Sequence, residues 1–216
     1  MSTCAAPARP RSSFEAVILL KETHGRSDTA LVQECRNGDP AAFDELVRRY
    51  KDRVYNMVYR FVGNREDALE VAQEVFVRAY RGVKSFRGEA KVYTWLYSIA
   101  ANLARNCLRD RSRKGRDKSR SFEEMEAVAP GALHDAAAVK DTPYTLAAAH
   151  ELEEVLQQCL QELPDHYRMT FLLRVSEDLS YEEIAEVMGC PEGTVKSRLN
   201  QARKILRDRL KELAVL

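Results

Sequence analysis

Apolar residues recur three and four positions apart along much of this chain, which is the spacing of helices that bury one face. The widest such stripe follows Asp39 and Pro40. An aspartate can cap a helix, and a proline fits the first turn because its missing N–H has no partner to lose there. Gly63 is suited to ending this helix. The stripe consists of Phe43, Leu46, Val47, Tyr50, Val54, Met57, Val58 and Phe61.

Three more helices are predicted around this stripe. Asp28 can cap a helix that Gly38 stops, and Asn64 can cap a helix that Gly82 stops. A fourth helix is predicted over about 91–110, after a short loop. The alternation typical of β-strands does not occur in this part of the sequence. The apolar positions of the fourth helix are Trp95, Leu96, Ile99, Leu103 and Cys107.

The pattern changes after the fourth helix. Residues 113–145 hold Ser, Gly, Pro and Ala with clustered charges and little periodicity, which is typical of a linker. Residues 1–27 are interpreted as a disordered extension. The predicted fold is therefore all-α, with two small helical domains at 28–112 and 146–216 joined by a flexible linker. The helices predicted in the second domain span roughly 146–162, 164–177, 180–188 and 191–213.

The second domain contains the sharpest local motif. Ser180 and Glu183 form a capping box, in which each side chain can bond the other residue's backbone N–H. Gly189 can end this short helix, and Pro191 restarts one almost at once. Two helices joined by a tight turn that contains glycine make a helix-turn-helix. The buried stripe predicted for its second helix is Val195, Leu199, Ala202 and Leu206.

The distribution of charge points to nucleic acid, although the whole chain carries a net charge of only +1. The segments 105–120 and 192–211 are strongly basic, whereas 121–162 between them is strongly acidic. A single basic block is usually a solvated helix face. Two basic blocks, each at the end of a helical unit, favour a DNA-binding protein.

Several other classes of protein are disfavoured. No window approaches 18 uncharged apolar residues, so no stable membrane insertion is expected, and the chain is predicted to be cytoplasmic. The five cysteines are scattered, which fits reduced thiols and neither a metal site nor a cofactor site. The four histidines do not converge, and glycine-rich phosphate loops and nucleophile elbows are missing from the sequence. The protein is therefore not expected to be an enzyme.

Four segments resemble the extracytoplasmic-function (ECF) sigma factors of the sigma-70 family. Asp67–Tyr80 is similar to their polymerase-binding region 2.2, and Phe86–Arg113 to their regions 2.3 and 2.4. Leu163–Asp165 and Leu179–Arg198 resemble their region 4. The resemblance implies a sigma factor that binds core RNA polymerase and directs promoter recognition and transcription initiation at a specific set of genes.

The resemblance also implies which residues act at each step. Where the family usually has an acidic residue in region 2.2, this chain has Leu69. The core polymerase-binding positions match Asp67, Glu70, Gln73 and Glu74. The −10 DNA-binding positions match Arg87, Gly88, Lys91, Asn102, Arg105, Asn106 and Arg109. The −35 DNA-binding positions in the helix-turn-helix (180–203) match Lys196, Ser197, Arg198, Asn200, Gln201 and Arg203.

The implied partners are promoter DNA, an anti-sigma factor and two parts of the core polymerase. These parts are the clamp helices of the largest subunit and the flap of the second-largest. Two alternatives stay open: a helix-turn-helix transcriptional regulator that is not a polymerase subunit, and a pure protein-interaction module. A further hypothesis is that the acidic segment 121–162, with Glu123, Glu124 and Glu126, folds back on the basic surfaces.

Overall fold

The computed structural model describes residues 26–88, 90–118 and 143–213 of the 216-residue chain. These residues form eight α-helices and one short 3₁₀ turn, and they contain no strand. The predictions for the extension before residue 26 and for the centre of the linker, with its three glutamates, lie outside the described residues. The helices are α1 Asp28–Arg36, α2 Pro40–Val62, α3 Arg65–Gly82, α4 Val92–Lys118, α5 Pro143–Glu162, α6 Asp165–Val175, α7 Tyr181–Met188 and α8 Glu192–Glu212.

The first two helices begin with side-chain caps, one of which differs from the prediction. Ser27, not Asp28, caps α1, because its hydroxyl accepts the backbone N–H of Ala30 at 3.2 Å. Asp28 is instead the first helical residue, and its carboxylate accepts hydrogen bonds from Arg49 and Tyr50. Asp39 caps α2 as predicted.

The ends of α2 and α3 differ in how the chain leaves the helix. Gly63 ends α2 in the left-handed conformation at φ 75°, as predicted. Asn64 then caps α3 by accepting the N–H of Asp67 at 2.9 Å. Helix α3 ends at Gly82, as predicted, but without a left-handed residue. Gly82 keeps right-handed helical geometry, and the chain continues into a 3₁₀ turn at Val83–Ser85.

Helix α4 is longer than predicted, since it continues to Lys118 instead of ending near residue 110. Arginine and lysine favour helices, and no proline interrupts the stretch, so the helix extends into the region expected to be linker. Helix α5 likewise starts earlier than predicted, at Pro143, where a proline is tolerated in the first turn.

The N-terminal unit, α1 to α4, buries the stripe predicted for α2. Val54, Met57 and Phe61 are fully buried. On α4, Leu96 and Leu103 are buried as expected, whereas Trp95 is only partly buried and packs on the core through Phe86, with ring centroids 4.7 Å apart. The fully buried aromatic residue of this helix is Tyr97.

The C-terminal unit, α5 to α8, contains the predicted helix-turn-helix in α7 and α8. Both hydrogen bonds of the capping box between Ser180 and Glu183 are present, and Gly189 ends α7 at φ 60°. In the loop between α6 and α7, Asp178 adopts the left-handed conformation at φ 53°. The stripe Val195, Leu199, Ala202 and Leu206 is buried as predicted.

The two units pack directly against each other. Helix α4 contacts α7, and α2 contacts α6. One continuous hydrophobic cluster therefore includes residues of both units, among them Phe61 and Leu96 on one side and Met169 and Ile184 on the other. The sequence predicted two domains on a flexible linker, and it did not predict that they share a core.

Candidate nucleic-acid interface

The residues predicted to bind the −35 element lie on α8, most of them opposite its buried stripe. Because the stripe holds the helix in a fixed rotation, the remaining side chains point outward. Arg198 differs from the other residues predicted to bind the −35 element. It is only partly exposed, and its guanidinium donates to the Cys190 sulfur at 3.5 Å, so it contacts the turn between the two helices. The exposed predicted residues are Lys196, Ser197, Asn200, Gln201 and Arg203.

Four of the residues predicted to read the −10 element line one face of α4. Arg105 donates to the side-chain oxygen of Asn102 at 2.6 Å, and Arg109 donates to that of Asn106. Each asparagine therefore has its acceptor occupied by an arginine one turn later. Together they border a polar cleft of about 510 Å³, here called the helix cleft. Its lining is Asn102, Arg105, Asn106, Leu108, Arg109, Ser112 and Asp165.

A second cavity, of about 460 Å³, lies at the loop before α4 and is here called the loop pocket. Phe86 and Trp95 form its aromatic wall. Gly88 adopts φ 78°, a conformation that favours glycine and lets the loop turn. Arg87 and Lys91 are exposed on this loop. The lining is Arg78, Gly82, Ser85, Phe86, Arg87, Ala90, Trp95, Ile99 and Glu186.

Glu183 of the capping box also joins the helix-turn-helix to the loop before α4. Its carboxylate accepts a hydrogen bond from the Tyr93 hydroxyl and pairs with the Lys91 ammonium at 2.9 Å. Burial would raise the pKa of Glu183. The hydrogen bonds from Tyr93, Lys91 and the Ser180 backbone outweigh it and lower that pKa to about 2. Glu183 is therefore a carboxylate in the ordinary pH range.

Glu177 forms a second and more deeply buried connection between the units. It is 8% exposed and accepts hydrogen bonds from the Tyr97 hydroxyl and from Arg53 Nε, the latter at 3.2 Å. Burial and the Glu177 charge raise the pKa of Tyr97, so this hydroxyl stays protonated and donates.

The last carbonyls of α2 are capped by side chains of the C-terminal unit. Arg168 is 5% exposed, and its guanidinium donates to the Phe61 carbonyl at 2.6 Å. Gln161 and Gln157 donate to the Arg60 carbonyl at 2.9 and 3.2 Å. The end of a helix leaves its final carbonyls without partners inside the helix, and a cation is favoured there. The C-terminal unit therefore supplies hydrogen-bond donors to the last carbonyls of α2.

The residues predicted to bind core polymerase lie along α3. Glu70 and Gln73 are exposed, whereas Glu74 pairs with Arg78 at 2.7 Å. Asp67 is half-buried, and its carboxylate lies 3.6 Å from Arg111 of α4. This pair makes Asp67 the least available of the four. The same helix exposes three large apolar side chains, Leu69, Val77 and Tyr80.

Sequence reasoning missed the residues that join the two units. Arg53, Glu177 and Arg168 belong to no motif, and each looks like an ordinary charged residue on a helix or turn. Glu183 was identified only as a cap. None of the four carries a local signal, because its role depends on a partner at least 90 positions away.

Two further observations concern membrane-spanning helices and metal sites among the described residues. No helix among them is long and apolar enough to cross a membrane. Within the same residues, no group of three or more histidine, cysteine or acidic side chains is placed to hold a metal ion.

Comparisons with known protein families match both units. The family described as Sigma-70 region 2 matches residues 46–114, and the family described as Sigma-70, region 4 matches residues 153–206. The ECF RNA polymerase sigma-E factor of Haemophilus influenzae is 40% identical over 188 residues, covering 87% of this chain and 97% of the relative. The RNA polymerase sigma-H factor of Pseudomonas aeruginosa is 40% identical over 187 residues, covering 86% and 95%.

Solved structures with the same arrangement of helices are more distant in sequence. CnrH, solved in complex with the cytosolic domain of CnrY, has a TM-score of 0.64 at 23% identity, covering 87% of this chain and 99% of its own. The sigma factor RpoE from Bartonella quintana, solved with the anti-sigma factor NepR, has a TM-score of 0.61 at 24% identity, covering 78% and 96%. These likenesses show the fold.

Proposed function

The chain belongs to the ECF sigma factors of the sigma-70 family, and from that premise we propose which of its surfaces carry out each step of promoter recognition. It is a sigma factor that binds core RNA polymerase and directs transcription initiation at particular promoters. A helix-turn-helix regulator acting apart from polymerase is not favoured, because relatives covering 87% of the chain are sigma factors. Sigma factors are binding subunits, and we propose no catalytic residue and no cofactor.

Recognition of the −10 element is assigned to the helix cleft and the loop pocket. The observation that carries this proposal is that both cavities open along α4 and its preceding loop. Arginines border both cavities, and two asparagines border the helix cleft. Asparagine amides can hydrogen-bond base edges, and arginines can hold phosphates. The aromatic wall of Phe86 and Trp95 is suited to a base that leaves the stack.

Recognition of the −35 element is assigned to α8. Lys196, Asn200 and Gln201 are exposed on one helix whose opposite face is buried. A second helix of this kind can enter a major groove, where such side chains reach base edges. Arg198 is assigned a supporting role instead, because it contacts Cys190 and holds the turn. Arg203 and Ser197 lie beside the reading positions and are placed to hold phosphates.

Binding to core polymerase is assigned first to α3. Glu70, Gln73 and Glu74 form an acidic and polar surface, and Leu69 and Val77 add exposed apolar area beside it. Such a mixed surface suits the clamp helices of the largest subunit if these present both basic and apolar side chains. Asp67 contributes less directly, since Arg111 already lies against its carboxylate.

A second contact, with the flap of the second-largest subunit, is assigned to the C-terminal unit. A groove of about 510 Å³ runs between α5, α6 and α8, and it is mostly apolar. Leu156 and Val175 are 42% and 58% exposed on it, so it offers a hydrophobic surface for docking. Arg203 and Arg207 lie along its edge.

We also propose an anti-sigma factor as a partner and the cytoplasm, where polymerase acts, as the location. Support for the partner comes from the sigma factor RpoE, which has the same fold and whose structure was solved with the anti-sigma factor NepR.

Run-off transcription tests the proposed function. Core polymerase with this protein should initiate on a subset of genomic fragments on which core alone does not. Lys196→Ala should lower duplex affinity by about tenfold, since a good base contact is worth about 1–3 kcal/mol. The matched control is Lys211→Ala, an exposed lysine near the other end of α8. Equal run-off products with and without the protein would refute the assignment.

A further inference from the structure

The two asparagines of the helix cleft are each held by an arginine one turn further along α4. Arg105 donates to the side-chain oxygen of Asn102 at 2.6 Å, and Arg109 donates to that of Asn106. A guanidinium carries N–H donors and no acceptor, so the amide atom that faces it has to be the oxygen. The amide NH₂ groups of both asparagines are therefore the atoms that remain for another partner.

Arg105 is itself held by the backbone of the helix. Its Nε donates to the Ala101 carbonyl at 3.1 Å, while its Nη2 donates to Asn102. Two hydrogen bonds from one planar group fix the orientation of that group. The guanidinium is only partly exposed, whereas Asn102 is exposed, so the Asn102 amide is accessible to a base. A more buried side chain therefore sets the orientation of an exposed one.

The orientation of the amides decides which bases they can bind. Adenine and cytosine carry an exocyclic amino group, which is a donor, where guanine and thymine carry an oxygen, which is an acceptor. An asparagine makes two hydrogen bonds to adenine only if its oxygen accepts from that amino group. The positive guanidinium beside the oxygen disfavours a second donor there. The amide keeps its other bond, from its NH₂ group to a base oxygen.

We propose that Arg105 and Arg109 are specificity-determining residues of the −10 surface. They turn the amides of Asn102 and Asn106 so that both act as donors and select guanine or thymine over adenine or cytosine. The two asparagines lie four positions apart on one face of α4, so they can contact two bases of one strand. The inference rests on the assignment of the −10 surface made above and deepens it. An arginine that only holds a phosphate strengthens binding to every sequence alike.

The test compares two double variants of the full chain that lose the same charge. One is Arg105→Met/Arg109→Met, which removes both positioning groups and keeps residues that favour a helix. The control is Arg111→Met/Arg113→Met. Both control positions are exposed on α4 and lie outside the helix cleft, and their arginines pair with the carboxylates of Asp67 and Asp110.

Base preference is measured on holoenzyme formed with core polymerase, because that is the form that binds a promoter strand. A pool of 12-nucleotide single strands of random sequence is offered, and the bound strands are sequenced. The positions that each asparagine contacts are those at which Asn102→Ala or Asn106→Ala loses its preference. Strands with adenine and with hypoxanthine at these positions are then compared, since hypoxanthine replaces the adenine amino group by an oxygen.

The wild-type and control holoenzymes should bind the hypoxanthine strand about threefold to tenfold more tightly than the adenine strand, the range of one good base contact. In Arg105→Met/Arg109→Met this ratio should fall toward one, whereas the control variant should lose affinity for both strands alike. Equal wild-type affinity for the two strands, or an unchanged ratio in Arg105→Met/Arg109→Met, overturns the proposal. The single variant Arg109→Met, at an exposed position, repeats the comparison with the fold undisturbed.

Run-off transcription by the unmodified protein keeps this inference separate from the proposed function. Absent run-off refutes the function itself. Normal run-off with a base preference that neither asparagine variant changes refutes the −10 assignment and this inference together. Normal run-off with a preference that the asparagine variants lose and Arg105→Met/Arg109→Met keeps refutes this inference alone.

Discussion

At the scale of single residues, Glu177 shows how a charged side chain acquires a structural role from its surroundings. Nothing around it in the sequence marks it, yet it is almost fully buried and held by Tyr97 and Arg53 from the other unit. A buried carboxylate is tolerated only when its oxygens are hydrogen-bonded and its charge is balanced. Both conditions are met only while the two units are packed together.

Replacing Glu177 by alanine should therefore destabilise the packed protein. The change leaves the buried Tyr97 hydroxyl without its acceptor, which costs about 1–3 kcal/mol. Glu177→Gln keeps an acceptor and should cost less. Urea unfolding measures both, with Glu182→Ala, an exposed acid of α7, as the control that should change the unfolding free energy by no more than about 0.5 kcal/mol. An equally small effect of Glu177→Ala would show that the contact between units is absent in solution.

Glu183, which bonds Tyr93 and Lys91 of the other unit, makes the packing of the two units sensitive to acid. Its pKa lies at about 2 in the folded protein, below the ordinary value of 4.5, so the unfolded chain takes up its proton first. The stabilisation is fully present above pH 4.5 and is lost as the pH falls from there through about 2. Urea midpoints of the wild type and Glu183→Gln should therefore differ at pH 6 and converge toward pH 2.5. A difference that does not depend on pH would contradict the depressed pKa.

At the scale of elements, α4 and α8 each bury one face and expose another that carries residues predicted to bind DNA. Helix α4 is the clearest case, because its apolar side enters the core while its asparagines and arginines border the helix cleft. Helix α8 divides in the same way between a buried stripe and an exposed reading face. A helix that carries function on one side and core on the other permits substitutions that test function without unfolding the protein.

Asn102→Ala is expected to impair strand opening more than duplex binding. Asn102 is exposed at the helix cleft, and the function proposed above has its amide contact a −10 base once the duplex opens. Permanganate footprinting of the −10 region at saturating protein measures the opening. Asp110→Ala, also exposed on α4 but outside the cleft, is the matched control. Equal reactivity of wild type and Asn102→Ala would rule out this role.

Glu70→Lys should weaken binding to core polymerase roughly fivefold to tenfold, because a repulsive pair replaces an attractive one at the proposed clamp contact. The position is exposed, so circular dichroism should stay native. Asp52→Lys changes the charge equally on the exposed side of α2 and serves as the control. Unchanged co-purification of Glu70→Lys with core polymerase would exclude α3 as the docking helix.

At the scale of the whole molecule, the two helical units provide hydrogen-bond partners for each other and share one hydrophobic core. The C-terminal unit supplies partners for the last carbonyls of α2, acceptors for Tyr97 and Tyr93, and part of one continuous core. Separation would return these groups to water and expose apolar area. These hydrogen bonds and apolar contacts therefore stabilise the packed arrangement of the two units.

Replacing each of two glycines by alanine tests whether the two units pack against each other in this way. Gly63 and Gly38 both end or follow a helix at positive φ, so alanine is strained at either position. Only at Gly63 would the added Cβ lie 2.7 Å from the Gln161 side chain, which bonds the Arg60 carbonyl and Arg168. Gly63→Ala should therefore cost about 1 kcal/mol more than Gly38→Ala in urea unfolding. Equal costs would indicate that Gln161 does not contact α2 in solution.

Much of the fold could be predicted because its determinants are local. Asp39, Asn64 and the Ser180–Glu183 box act within three residues, and the stripes of α2 and α8 follow from helical spacing alone. The exposed face of α8 could be predicted from its buried stripe, because the two lie on opposite sides of the helix. The cap of α1 was assigned wrongly because Ser27 and Asp28 are adjacent and both residue types cap helices, and it is Ser27 that accepts the Ala30 N–H.

The packing of the two units could not be read from local pattern, because its partners are far apart in the chain. Arg53 and Glu177 are separated by 124 positions, and Tyr93 and Glu183 by 90. Charge distribution suggested that the acidic segment 121–162 would meet a basic one. Glu162 of that segment lies 2.8 Å from Arg209, whereas Lys91 is paired at 2.9 Å by Glu183, which lies outside the segment. Periodicity determines which side of a helix is buried. Only the three-dimensional structure determines which element that side packs against. It therefore also determines which charges lie next to the residues predicted to bind DNA.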